Sequence, residues 1–337
     1  MVASSGIRMQ LPFQLKNAIE LEATIIGLSN LTKAAAELSD KYRSRQSSDE
    51  KLITNEAHRI AYTATRMPAT YAAIRAVLRE IKKQLPELTI QSLIDLGAGP
   101  GTTAWAAVEV FEELQSILLI ERDQELIKLG QRLAKKSINQ NLFNAQWIVS
   151  DLNTMNFPSG DAIIASYFLG EISITSARQI TKSAWEKTNS LLMIIEPGSV
   201  RGFELIRTLR NDLIQLGGHI IAPCPHPNGC PMPEGDWCHF AERVERSSLH
   251  RKLKVGTLNY EDEKYSYVAV SRFPVKSLSA RIIRRPQISS GLVKLSLCAA
   301  DGINKTTVTK KHRSNFKIAR KSSWGDSIEL SISGENS

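Results

Sequence analysis

Cysteine is scarce in this chain, at four among 337 residues, and no apolar run approaches the roughly 18 residues that a membrane span requires. The first shortage excludes a disulfide-stapled scaffold, and the second predicts no membrane partner. Residues 1–30 lack the charged start, apolar block and cleavage site of a secretory signal, so a reducing compartment is expected. There is no internal repeat and no long low-complexity tract, which removes collagen-like and disordered classes. What remains is ordinary. With 42 % apolar and 23 % charged residues the chain can bury a core, and its length predicts about two domains.

The net charge of +9 gains meaning when divided along the chain. Residues 1–86 carry +5, residues 87–275 carry −4, residues 276–321 carry +11 and residues 322–337 carry −3. The excess is therefore a block near the C-terminus, the electrostatic footprint of a nucleic-acid or anionic-surface partner. Arg281, Arg284, Arg285, Lys294, Lys305, Lys310, Lys311, Arg313, Lys317, Arg320 and Lys321 form it, interleaved with His312, Phe316 and Trp324. A stripe of this kind positions RNA through its phosphates without reading its sequence.

Apolar positions recur at helical spacing from Leu15 to Lys83, as in Ile19, Ala23, Ile26, then Ala34, Leu38, Tyr42, then Tyr71, Ile74, Leu78, Ile81. Gln46 to Asp49 read as a loop, and Pro68 as the first turn of a new helix. Beyond Pro86, short apolar strands alternate with helical segments, the pattern of a parallel sheet covered by helices. The expected strands are Ser92 to Asp95, Ser116 to Glu121, Ala145 to Val149, Ala162 to Ser166, Leu191 to Ile195, His219 to Ala222 and Tyr265 to Ser271. After residue 275, β-branched segments around Ile282, Val293 to Leu297 and Thr306 to Thr309 predict a small β appendage. The expected units are thus a helical region 1–86, an α/β domain 87–275 with a cysteine-rich insert 222–264, and a basic β appendage 276–337.

The first strand runs into Gly97, Gly99 and Gly101, ahead of a helix. Glycines there let backbone amides approach a ligand, and the helix N-terminus favours negative charge. Asp95, at the strand end, suits the ammonium of the methionine part of S-adenosylmethionine. Glu121 ends the next strand, where a carboxylate accepts both ribose hydroxyls, and Asp151 follows the third, in position for the adenine amino group. DLGAGPG at 95–101 with these acids resembles the class I methyltransferases, which implies a seven-stranded Rossmann-like sheet with S-adenosylmethionine across the carboxyl ends of its strands. No acceptor motif with paired prolines follows the fourth strand; the stretch there reads Ser166 to Glu171. Tyr167 and Glu171 are the candidates for orienting an acceptor, since methyl transfer needs alignment and removal of one proton.

Three cysteines, Cys224, Cys230 and Cys238, fall in PCPHPNGCPMPEGDWCHF at 223–240, and five of the 13 prolines lie within 223–233. So stiff a loop is neither helix nor central strand, and needs something to fold around. Cys298 lies sixty residues further on, inside the basic block. Tetrahedral zinc, with His226 or His239 as substitute ligands, and an iron–sulfur cluster using all four thiolates both suit this chemistry. Inert buried cysteines are the remaining alternative. A shared cluster would staple the basic appendage to the cofactor edge of the sheet, its metal-binding energy being folding energy.

The segments AYTATRMPATYAAI (61–74), LIDLGAGPGTTAWAA (93–107), IIEPGSVRGF (194–203), APCPH (222–226), CPMPEGDWCHF (230–240), YEDEKYSYVAV (260–270), RIIRRP (281–286) and ARKSSWGD (319–326) narrow the resemblance. Together they resemble the methyltransferase-like assembly factors of the small ribosomal subunit, found in mitochondria and with bacterial relatives. That resemblance implies a [4Fe–4S] cluster on Cys224, Cys230, Cys238 and Cys298. It also implies binding to small-subunit ribosomal RNA, with Arg284, Arg285, Lys310, Lys311, Arg313, Lys317, Arg320 and Lys321 as the RNA-facing candidates. The expected molecule is monomeric away from the ribosome and catalytically inactive, an active ribosomal RNA methyltransferase being the alternative. The lack of an Arg-rich, acid-poor presequence favours a bacterial cytoplasm over a mitochondrial matrix.

Overall fold

The computed structural model describes residues 9–44, 53–254 and 256–330. The loop expected at Gln46 to Asp49, and the appendage beyond residue 330, lie outside the described residues. Among the described residues, no helix is long and apolar enough to cross a membrane.

Helices α1 (Phe13–Ile26), α2 (Leu28–Ser44) and α3 (Glu56–Gln84) form the N-terminal layer. Leu15, Ala18, Ile19 and Ala23 give α1 its buried face, and Gly27, at φ +82°, ends it with an amide bonded to the Ala23 carbonyl. Asn55 caps α3 by accepting the His58 amide at 2.8 Å. Pro68 does not start a helix, contrary to the sequence expectation, but lies inside α3. A proline there costs about 3 kcal/mol or more, and burial outweighs it: Met67, Pro68, Ala69, Tyr71 and Ile74 are all interior.

Strands and helices then alternate: β1 (Ser92–Leu96), α4 (Thr102–Val110), β2 (Ser116–Glu121), α5 (Gln124–Ala134), α6 (Gln140–Phe143), β3 (Gln146–Val149), β4 (Gly160–Ser166), α7 (Ile174–Lys187), β5 (Thr188–Pro197), α8 (Val200–Gln215) and β6 (His219–Ala222). Next come β7 (Phe240–Glu245), α9 (Ser248–Leu253) and β8 (Tyr260–Ser271). The sheet order is β3-β2-β1-β4-β5-β8-β6, with β1 to β5 parallel and β8 antiparallel to both neighbours. Side chains alternate across it. Leu93, Ala162, Ile164, Met193 and Ala269 face the layer of α3 and α4, whereas Ile94, Ile163, Ile194 and Val268 face α7 and α8.

Seven strands were expected, and an eighth is present. β7 pairs antiparallel with the first half of β8, from Phe240 opposite Tyr265 to Glu245 opposite Tyr260. The irregular insert therefore ends at His239 rather than residue 264. FAERVE is too polar to read as a buried strand, and it forms because β8 extends five residues earlier than its apolar run and offers it an edge.

The remaining elements are β9 (Ala280–Ile282), β10 (Gln287–Ile288), β11 (Leu292–Ala299), β12 (Gly302–Thr309), α10 (Arg313–Lys321) and β13 (Ser327–Ile328). The five strands make an antiparallel sheet around the β11–β12 hairpin. Its own core comprises Ile282, Val293, Leu295, Leu297, Val308, Phe316, Ala319 and Ile328. α10 was not foreseen: Phe316 and Ala319 are its only sequence signal, and they pack inward while its basic side chains face solvent.

Arg281, on β9, was read from sequence as part of the RNA-binding block. Instead it is 1 % exposed. Its Nε donates to the Pro223 carbonyl at 2.8 Å, and one terminal nitrogen donates to the Gly325 carbonyl at 2.7 Å and to the Glu80 carboxylate. One guanidinium thus joins α3, the start of the cysteine insert and the C-terminal strand. Arg281→Met removes the side-chain donor to the Pro223 and Gly325 carbonyls and leaves the half-buried Glu80 with only Gln84 and Lys83. It is expected to lower unfolding stability by about 1–3 kcal/mol, read from the shift in urea midpoint.

Candidate cofactor cavity and cysteine junction

The carboxyl ends of β1, β2 and β4 open into a cavity of about 740 Å³, within the range of small-molecule sites. Gly97, Gly99, Glu121, Asp151, Tyr167 and Glu171 line it, joined from α3 by Tyr62, Thr70 and Ile74. Two expected contacts are not on the wall. Gly101 caps α4 at φ +87° and packs toward Trp147, because the turn into the helix directs it away from the cavity. Asp95 is fully buried beneath the glycine loop, with neither carboxylate oxygen hydrogen-bonded. Burial drives its pKa well above the usual carboxylate range; the Thr103 side chain offsets part of this, although its hydroxyl lies 3.0 Å from the Ser166 hydroxyl.

The glycine loop is shaped from two sides. Gly97 sits at φ +66° beneath the Phe168 ring, where an added Cβ would stand 2.6 Å from ring carbons. Gly99, at φ +52°, has open space above it, and its amide donates to Glu121 Oε2 at 2.9 Å. Glu121 Oε1 accepts the Arg122 and Asp123 amides at 2.8 and 2.9 Å, which fixes this carboxylate at the cavity edge. Asp151 is held by Asn153, whose backbone and side-chain nitrogens each donate to Oδ1 at 2.8 Å and lower its pKa. Tyr167 adopts φ +59°, a left-handed conformation that a bulky residue rarely takes, and its buried hydroxyl has no partner.

Glu196 is a site residue that the sequence reading missed. It ends β5, is buried, and accepts backbone hydrogen bonds from the 3₁₀ turn at Phe168, Leu169 and Gly170. That turn carries the ring over Gly97. Burial pushes the Glu196 pKa up to about 8. An acidic residue closing an otherwise apolar strand, in IIEPG, was the available signal.

The four cysteines line one small cavity of about 40 Å³ with Phe203, Met232 and Ile283. Cys224 leaves the end of β6, Cys230 and Cys238 follow in the insert, and Cys298 lies on β11 opposite Arg281 and Ile303. Among the described residues, no three His, Cys, Asp or Glu side chains stand close enough together to hold one metal ion. The donor set nevertheless fits an all-sulfur group, with three thiols from the insert and one from β11, apolar and arginine side chains in the wall and no carboxylate in the lining. Burial, reinforced by the other three sulfurs, raises Cys238 well above the ordinary thiol range; burial with Cys224 and Cys230 pushes Cys298 to about 12. The two candidate substitute ligands separate. His226 Nε2 lies 3.9 Å from the Cys298 sulfur, whereas His239 stacks on Trp237 and meets Trp324 edge-on.

Of the RNA-facing candidates, Arg285, Lys310, Lys311, Arg313, Lys317, Arg320 and Lys321 are exposed. Arg284 is half-buried and paired with Asp236 at 2.5 Å, so it fastens the insert rather than facing outward.

A glycine loop after the first of five parallel strands, with a late antiparallel strand inserted beside the fifth, defines a class I methyltransferase fold. The family model for the mitochondrial small ribosomal subunit protein Rsm22 matches residues 56–329. This chain belongs to that family. It is 25 % identical to the human mitochondrial ribosome assembly protein METTL17, over 83 % of this chain and 64 % of that protein. It is 26 % identical to the Rsm22-cox11 tandem protein 2 of Schizosaccharomyces pombe, over 80 % of this chain and 43 % of that one. The chain thus spans less than two thirds of these relatives. Similar solved structures include the magnesium protoporphyrin IX methyltransferase of Synechocystis with bound S-adenosylmethionine (12 % identity, 71 % of this chain and 97 % of that one, TM-score 0.40). Another is the plantazolicin methyltransferase BpumL (11 %, 73 % and 98 %, TM-score 0.40).

Glu196 makes the ligand-free protein sensitive to pH. Between about 4.5 and 8 the native carboxyl keeps a proton that the unfolded chain releases, so stability falls as pH rises, by up to about 1.4 kcal/mol per unit. Glu196→Gln is expected to flatten this slope in urea unfolding across pH 5 to 8.

Proposed function

We propose that this chain is a maturation factor of the small ribosomal subunit, which holds ribosomal RNA on its basic C-terminal surface and carries S-adenosylmethionine and a [4Fe–4S] cluster. The convergence of Cys298, from the basic β unit, with the three cysteines of the insert is the observation that carries this reading. It ties an electropositive surface to the cofactor edge of the sheet, an arrangement of use to a protein that presents RNA beside its cofactor. The expected division into a helical region 1–86, a methyltransferase domain 87–275 and a basic appendage 276–337 is part of the proposal. So is a monomeric state off the ribosome, in a bacterial cytoplasm or, in a eukaryote, the mitochondrial matrix. The relatives' names, a mitochondrial ribosome assembly protein and a mitochondrial small-subunit family, support the assignment.

In the cavity, Gly97 and Gly99 leave room for the cofactor's methionine end, Glu121 is placed for the ribose hydroxyls and Asp151 for the adenine. The unpartnered Asp95 carboxyl lies beneath the loop and off the cavity wall, and a cationic ligand above the loop would favour its ionised form. S-adenosylmethionine, when bound, supplies an electrophilic methyl group. Cys224, Cys230, Cys238 and Cys298 would hold the cluster, whose contribution is a rigid crosslink. Specificity for RNA then comes from shape, because exposed lysines and arginines on α10 meet phosphates and not base edges.

An active ribosomal RNA methyltransferase is the second reading. Tyr167 favours it: a residue on the cavity wall held in a strained backbone conformation, with Glu171 on the same wall, is what a site for orienting an acceptor needs. Crosslinking in cells followed by sequencing and methylation mapping separates the readings. The proposal expects crosslinks concentrated in small-subunit ribosomal RNA, at least tenfold fewer in Lys317→Glu/Arg320→Glu, with no methyl mark lost on deletion. A mark lost at the crosslinked nucleotide establishes the enzyme, and crosslinks spread evenly over cellular RNA overturn both.

A further inference from the structure

Arg210, on α8, is 3 % exposed and spends its donors on the cysteine insert. Nε donates to the Cys224 sulfur at 3.2 Å. One terminal nitrogen donates to the carbonyls of His226 and Asn228, at 2.9 and 2.7 Å, and the other to Asn211 Oδ1 at 3.0 Å. The segment from Cys224 to Asn228 is therefore wrapped around a single guanidinium.

Three other guanidiniums act electrostatically on the cysteines, and each has a carboxylate of its own. Arg207 pairs with Glu204, Arg281 with Glu80 and Arg284 with Asp236. Among the described residues, Arg210 has no carboxylate at ion-pair distance. A buried cation without a counter-charge is strongly unfavourable. Carbonyls and an amide offer it only dipoles. Among its partners the Cys224 sulfur alone can become an anion, and the other three sulfurs line the same cavity.

We propose that Arg210 is the counter-charge of an anionic all-thiolate centre and the positioning residue that tunes it through the Cys224 sulfur. The inference rests on the reading of the four cysteines as ligands of one group. A guanidinium N–H aimed at a ligand sulfur withdraws electron density from it and favours the more negative oxidation state, so Arg210 raises the reduction potential. Its two carbonyl contacts also hold the insert in the ligating conformation before the thiols lose their protons. Lysine keeps the charge but not the fork, so Arg210→Lys should lie between wild type and Arg210→Gln.

The full chain, purified anaerobically as wild type, Arg210→Lys and Arg210→Gln, is assayed for iron per chain, potentiometric titration of the cluster spectrum and far-ultraviolet circular dichroism. Arg210→Gln is expected to lose roughly tenfold in relative stabilisation of the reduced state, a negative shift of about 59 mV for a one-electron couple. Iron content at the wild-type level with unchanged potentials in both variants overturns the proposal. If Arg210→Gln does not fold, Arg210→Lys carries the test, and its unchanged potential has the same meaning. A wild-type chain that holds zinc and no iron removes the cluster reading alone. Zinc retention against a competing chelator then decides: a tenfold loss in Arg210→Gln upholds the counter-charge, and no loss overturns it. A wild-type chain that takes up neither metal overturns both.

Discussion

One buried cation ties together the segments that lie beyond the α/β core. Arg281 is almost fully enclosed, and its hydrogen bonds reach the carbonyl before Cys224, the carbonyl beside β13 and the carboxylate of Glu80 on α3. A charge so placed costs several kcal/mol to desolvate, and the fold accepts that cost only because each contact closes a different segment. With Arg281 in place, β9 is fixed against the sheet, β11 is paired to β9, and Cys298 is brought to the three cysteines of the insert. The basic unit is consequently a second sheet packed against the methyltransferase domain and not a tethered tail. Its net positive charge faces outward because its own core of Val293, Leu295, Leu297 and Phe316 turns inward.

The two sites obey opposite electrostatic logic. Beneath the cofactor cavity two buried groups are acids: Asp95 without a partner, and Glu196, which the 3₁₀-turn amides meet on one side while its Oε1 has no partner. Both are raised by burial, and a cationic ligand is the species that would restore them to the ionised form. At the junction the buried groups are bases, Arg210 and Arg281, arranged around sulfurs. On the proposed function, an anionic centre would relieve that site as a cation would relieve the other.

Much of this was legible in the sequence, and the failures are instructive. The parallel strands were visible because strands buried on both faces read as continuous apolar runs, and the glycine loop stood directly after the first of them. Of the residues expected around it, Gly97, Gly99, Glu121, Asp151, Tyr167 and Glu171 do line one cavity. Asp95 and Gly101 do not, since residue type and spacing specify neighbourhood but not the direction in which a side chain leaves the backbone. β7 and α10 were invisible for a related reason. Their sequences are polar, and they exist because a neighbour supplies an edge or a floor. Pro68 in α3 shows burial overruling a local rule. Arg281 and Arg284 look identical to Arg285 in sequence, yet only packing tells a fastening arginine from one that faces solvent.

The central claim is that the four cysteines fasten the basic unit to the cofactor edge of the sheet through a bound group. Hydrogen exchange on the metal-loaded and the chelator-stripped full chain tests it directly. The account predicts that stripping raises exchange in residues 224–239, β9 and β11 while β1, β4 and β5 remain protected. Unchanged protection of β9 and β11 after complete metal removal would contradict it.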